Sequence, residues 1–146
     1  MVIRKVIEAK EKEIKHQSEN ADQNFKTNFQ NGTQLYNANG TDGDIIKING
    51  TEFEDAIDAW KEYCGKAVKI EKCPNAECTS DAPSDIVGAH VVKNSWDVDV
   101  KRGDKIYIIP LCRGCNSAGD KKKIRLNKTV EGLSLIFDAN LSSNNE

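Results

Sequence analysis

Two close pairs of cysteines, Cys73-Pro74-Asn75-Ala76-Glu77-Cys78 and Cys112-Arg113-Gly114-Cys115, constrain this chain more than any other feature. Four thiolates carried on two short loops can surround one tetrahedral metal ion, which needs no pocket preformed in the unfolded chain. The opening residues Met1-Val2-Ile3-Arg4-Lys5 run into a charged stretch where a secretory signal would carry its apolar segment. A cytoplasmic protein with reduced thiols is therefore expected, and metal ligation is favoured over a disulfide framework. Two other readings stay open. One is a pair of local disulfides; the other is a redox dithiol at Cys112 and Cys115, which leaves the first pair without a role. Cys64, the fifth cysteine, is expected as a buried free thiol at a helix end.

The chain has 146 residues, of which 38% are hydrophobic and only 6% aromatic. That suits one small domain with an appended segment, excludes a large multidomain enzyme, and makes a metal clamp useful to a modest core. No apolar run is long enough to span a bilayer, so no membrane association is expected. With 21 Lys and Arg against 23 Asp and Glu, the net charge of -2 provides no global attraction for nucleic acid. Any such binding is local, and residues 113–128 hold the one clear basic patch: Arg113, Lys121, Lys122, Lys123, Arg125 and Lys128 against Asp120.

The spacing of Ile3, Val6, Ile7 and Ile14 among Lys and Glu predicts an amphipathic helix over 2–17, packed on the domain or on a partner protein. Residues 20–50 shift to Asn, Gln, Thr and Gly, with Asn-Gly turn signals at 31–32, 39–40 and 49–50. Segments 34–36 and 45–48 between them would pair as a small meander or serve as a linker. Thr51 and Glu54 have capping-box spacing and predict a helix carrying Phe53, Ala56, Ile57, Trp60 and Tyr63 to Gly65. Strands are expected at 86–92, 106–109 and 133–137, with alternation over 96–100, a turn at 101–104 and a short basic helix over 116–123. Two regions follow: an N-terminal helix with a hairpin or linker over 1–50, and a zinc-binding domain over 51–146 with its motif core at 72–123.

The order Cys73-x4-Cys78, then Gly88-Ala89-His90 in a strand, then Tyr107-Ile108-Ile109-Pro110-Leu111-Cys112-Arg113-Gly114-Cys115-Asn116, resembles the HNH endonuclease family of treble-clef zinc proteins. The resemblance implies an α+β fold: a small zinc-stabilised treble-clef or ββα domain, here with an N-terminal helical and hairpin extension. It implies structural Zn²⁺ on Cys73, Cys78, Cys112 and Cys115, His90 as general base, and Asn116 as ligand to a catalytic Mg²⁺ or other divalent ion. It makes Arg113, Lys121, Lys122, Lys123 and Arg125 the candidate nucleic-acid contacts, with DNA favoured over RNA.

The sequence departs from that pattern where chemistry would need it. Ala89 stands where the family has an Asp or His ligand, and Tyr107 where it has its middle Asn. A neutral Asn116 alone holds Mg²⁺ weakly, so a carboxylate such as Asp85, Asp104 or Asp120 would have to replace the missing ligand. His90 also reads as a hydrogen-bonded structural residue or a further zinc ligand, and the lysine run as a solvated helix face. The expectation is a degenerate site on a noncatalytic module that binds nucleic acid or, through its N-terminal segment, a protein. The alternatives are an active metal-dependent endonuclease using His90, and a small inhibitor or regulator that binds a partner protein through the acidic N-terminal half (Asp42, Asp44, Glu52, Glu54, Asp55, Asp58).

Overall fold

The longest apolar run in the C-terminal half, Ile106 to Leu111, forms a strand buried on both faces, and the rest of the molecule is arranged around it. In the computed structural model, residues 6–8, 26–38, 45–48, 51–64, 73–78, 86–101, 103–116 and 123–138 are described. Their strands are β1 (Val6–Glu8), β2 (Lys26–Phe29), β3 (Gln34–Asn37), β4 (Ile45–Ile48), β5 (Thr51–Phe53), β6 (Ile86–Val92), β7 (Lys105–Cys112), β8 (Lys123–Arg125) and β9 (Val130–Asp138). Two α-helices, α1 (Ala56–Tyr63) and the single turn α2 (Arg113–Asn116), and a 3-10 turn at Ser95–Asp97 complete the described elements.

All nine strands share one sheet, in the order β5-β4-β1-β9-β7-β6-β3-β8, with β2 also paired to β9. Every pairing is antiparallel except β1 with β4. Strands from both sides of the expected boundary at 50/51 are therefore joined by backbone hydrogen bonds.

Alternation along β7 divides the core in two, because successive side chains leave opposite faces of a strand. Ile106 and Ile108 pack with Ile46, Ile48, Trp60, Leu133, Leu135 and Phe137 on the face covered by α1. Tyr107, Ile109 and Leu111 pack with Phe29, Leu35, Val91, Ile124, Leu126 and two of the cysteines on the other.

Helix α1 presents Ala56, Ile57, Ala59, Trp60 and Tyr63 at helical spacing, and its Trp60 indole N–H donates to the Glu131 carbonyl of β9 at 2.8 Å. The helix starts on β6 itself. A Cβ at Gly88 would lie 2.5 Å from the Ile57 nitrogen and 2.6 Å from the Ala56 carbonyl carbon, so no larger residue fits between helix and strand.

Several expectations are corrected. Val6–Glu8 form a strand, not part of a helix over 2–17, because β9 and β4 flank them and supply backbone partners on both edges; the remainder of that span lies outside the described residues. β3 and β4 do not pair as a meander: β3 joins β6 and β8, whereas β4 joins β1 and β5. Thr51 is not a helix cap. It pairs with Ile48 across a two-residue connection, and α1 begins after Asp55, whose side chain makes no capping bond. The alternating 96–100 stretch starts as the 3-10 turn, closed by Asp97 N–H to the Asn94 carbonyl at 3.0 Å. The basic helix expected over 116–123 is replaced at its ends by α2 and β8, and 117–122 lie outside the described residues.

Candidate metal centre

The first cysteine pair sits in a turn shaped by Asn75. Its side-chain oxygen accepts the Glu77 N–H at 3.3 Å, its carbonyl accepts the Cys78 N–H at 3.1 Å, and its amide nitrogen lies 3.3 Å from Cys115 Sγ. Asn75 is buried, as an amide engaged at every polar atom can be. The turn is fastened to the end of β8 and the residues that follow: Ala76 N–H donates to the Arg125 carbonyl at 2.7 Å and Asn127 N–H to the Pro74 carbonyl at 2.8 Å.

The second pair comes from the junction of strand and helix. Cys112 ends β7, and its N–H donates to Cys73 Sγ at 3.3 Å; Cys115 lies one helical turn on, in α2. The buried side chain of Asn37 in β3 donates to the Cys115 carbonyl at 3.1 Å, holding α2 against the sheet.

The four sulfurs meet at one place. Cys73 Sγ is 3.8 Å from Cys115 Sγ, Cys78 Sγ is 3.5 Å from Cys112 Sγ, and all four lie within 4.8 Å of one another. Bonds of about 2.3 Å to a tetrahedral zinc require sulfurs about 3.8 Å apart. A disulfide requires about 2.05 Å. All five cysteines are free, and close contacts link each member of one pair to a member of the other, so the two pairs form a single four-sulfur cluster without disulfides.

Burial pushes the Cys73 thiol up, against the N–H groups of Cys112 and Asn75 that favour its thiolate. Burial also raises Cys115, more than the Asn75 amide lowers it. At Cys112 the burial penalty is outweighed by the Cys115 N–H and by contacts with the other three sulfurs, so its thiol is shifted down. A cation that replaces the thiol protons relieves the crowding of these sulfurs, which makes binding a proton-releasing step.

The expected catalytic pair comes from two elements, His90 from β6 and Asn116 from the end of α2. His90 pairs with Ile108, four residues along the ladder from the Ile86 and Cys112 pair, roughly 14 Å at the usual strand rise. Its neighbours Ala89 and Val91 face the cysteine side, which turns the His90 side chain towards the face that Gly88 presents to α1. Its Nε2 is shielded from solvent. Asn116 ends α2, half-buried, next in the chain to Cys115, whose carbonyl accepts from Asn37, the partner of Val91. Ala89 and Tyr107, at the two departures from the HNH pattern, are both buried core residues, and Tyr107 packs edge-on against Phe29 with ring centroids 5.1 Å apart. Among the described residues, the four cysteines are the one group of three or more His, Cys, Asp or Glu side chains close enough to share an ion.

The candidate nucleic-acid contacts are divided as well. Arg113 is exposed on α2, beside the cysteines. Lys123 and Arg125 are exposed on β8, flanking Ile124, whose burial on the cysteine side directs them to the opposite face. Lys121 and Lys122 lie outside the described residues, as do Asp85 and Asp120; Asp104 accepts the Lys101 N–H at 2.9 Å near the far end of β7. Sequence reasoning missed Asn75 and Asn37. The one signal for Asn75 was an amide inside a cysteine loop; Asn37 carried none.

No match was found in comparisons with protein-family models, curated proteins and solved structures. None of the described helices is long and apolar enough to cross a membrane.

Proposed function

We propose that this chain is a noncatalytic binding module built on an HNH-like, treble-clef zinc site, with Zn²⁺ on Cys73, Cys78, Cys112 and Cys115 as a structural ion. The observation that carries the reading is the convergence of four sulfurs at spacings that suit one tetrahedral ion. The order β6, β7, α2, with the second cysteine pair at the strand-to-helix junction, agrees with the strand-strand-helix unit the resemblance implies.

Loss of catalysis is supported by the same frame. The residues at 89 and 107, where a nuclease would need ligands, fill the core. The zinc site then serves to hold the 73–78 turn and α2, with exposed Arg113, as a surface for nucleic acid or protein.

Metal analysis and plasmid nicking test this together. Purified protein is expected to carry one equivalent of zinc, lost in Cys73→Ser and Cys112→Ser, and to leave supercoiled plasmid intact with Mg²⁺, Mn²⁺ or Ni²⁺. Folded, metal-free protein with reduced thiols would overturn the zinc site. Nicking abolished by His90→Ala would overturn the noncatalytic reading in favour of an endonuclease.

A further inference from the structure

Asn-Gly-Thr occurs at 31–33, 39–41 and 49–51, and the first copy lies wholly among the described residues. Its Asn31 and Gly32 are exposed in the turn between β2 and β3, which Thr33 N–H closes by donating to the Gln30 carbonyl at 3.0 Å. Gly32 has φ +90°, a backbone conformation that favours glycine. The turn therefore keeps a glycine behind Asn31, and glycine has no side chain to block attack by its own nitrogen on the asparagine amide. We infer that Asn31 is a deamidation site gated by the metal centre, shut while an ion holds the 73–78 turn and converted to aspartate and isoaspartate once the ion is lost.

The reaction needs no enzyme and no oxidant. The Gly32 backbone nitrogen, after giving its proton to hydroxide, bonds to the Asn31 side-chain carbonyl carbon. The carbon–nitrogen bond of the side-chain amide breaks, and ammonia leaves with a proton taken from water. Water then opens the cyclic imide at either carbonyl, giving aspartate or isoaspartate, the latter with a main chain one methylene longer.

In the folded chain the attacking nitrogen is occupied. Its N–H donates to the Leu126 carbonyl at 2.8 Å, and the Leu126 N–H donates in return to the Thr33 carbonyl at 2.9 Å. Leu126 is buried in the cluster that contains Cys73 and Cys112. The 73–78 turn clasps the same segment from its own side, where Asn75 bridges to Leu126, Ala76 N–H donates to the Arg125 carbonyl and Asn127 N–H to the Pro74 carbonyl. Residues 125–127 thus join a turn that carries two metal ligands to a turn that carries the labile amide. Without its ion the first turn loosens, the shared segment opens locally, and the Gly32 nitrogen is freed. Isoaspartate displaces the Gly32 N–H from Leu126 and persists when metal returns, so it records time spent without metal. The gate rests on the zinc reading and adds a modification site to it.

Peptide mapping by mass spectrometry tests this on the full chain held at mildly alkaline pH in metal-loaded, chelated and urea-unfolded samples. Asn39 and Asn49, each also followed by Gly-Thr, calibrate the intrinsic rate in urea. Asn31 of the metal-loaded protein is expected to convert about tenfold or more slowly than in urea, as befits two hydrogen bonds that must open first. Chelation is expected to raise its rate about threefold or more while Trp60 fluorescence stays that of a buried indole. Conversion at the urea rate in metal-loaded protein would overturn the protection. A rate unchanged by chelation, or raised only after Trp60 is exposed, would overturn the gate and leave the zinc site standing. Folded protein that holds no metal by elemental analysis would overturn both.

Discussion

At Gly88 a missing side chain decides how the helix meets the sheet. Because the Ile57 nitrogen occupies the place where a Cβ would go, Gly88→Ala must push α1 away from β6. The expected cost is about 1–3 kcal/mol, the range for overpacking a tight core, read as a lower urea midpoint at unchanged slope. Asn75 holds the metal site through one amide, so Asn75→Ala should weaken metal affinity about 10- to 100-fold without removing a ligand, as loss of outer-shell partners does; competition with a chromogenic chelator measures it. Cys64, buried at the end of α1, has its thiol pushed up to about 12 by burial and then by Glu131, against Lys26. Its stabilising effect is complete below the ordinary value of 9.0 and is lost as pH rises towards 12, since only the unfolded chain ionises readily in that window. Urea midpoints of the wild type should therefore fall more steeply from pH 9 to 11 than those of Cys64→Ala. Equal slopes would refute this. Of these three residues only Cys64 was legible in the sequence, because close approach and outer-shell hydrogen bonds depend on neighbours distant along the chain.

Elements were legible where their periodicity was strong and their partners irrelevant. The runs at 86–92, 106–109 and 133–137 are strands in any context, since their β-branched residues suit a pleated, buried surface. Val6–Glu8 and Thr51–Phe53 carried competing helical signals, and tertiary pairing overrode them. The cysteine spacing revealed the metal site, but the strap that supports it, in which Leu126 N–H donates to the Thr33 carbonyl and Asn127 N–H to the Pro74 carbonyl, joins three segments that share no motif. That strap has a measurable consequence. On chelation of the metal, the amides of Ala76, Cys112 and Asn127 should lose hydrogen-exchange protection before those of Ile106 and Ile108 do. Simultaneous loss would mean that the site and the sheet unfold as one unit.

For the whole molecule, the two clusters on either face of β7 predict an uneven response to metal loss. The cluster under α1 contains Trp60, Ile46, Leu133 and Phe137 and none of the four ligands, whereas the other contains Cys73 and Cys112. Cys73→Ser should therefore lower the thermal midpoint while Trp60 fluorescence stays that of a buried indole up to the transition. Early exposure of Trp60 would show that the metal organises both faces.

The placement of β9 also governs when the molecule can be completed. Its C-terminal half pairs with β1 and its N-terminal half with β2, so Val6 must wait for Asp138 and Lys26 for Leu133. During synthesis β2 leaves the ribosome without its partner, and β1 can pair on only one edge, with β4, until nearly all of the described sequence has emerged. Pairings of such long sequence separation form slowly and expose strand edges meanwhile. Newly made chain is therefore at its most vulnerable to aggregation and to holding chaperones just before β9 arrives.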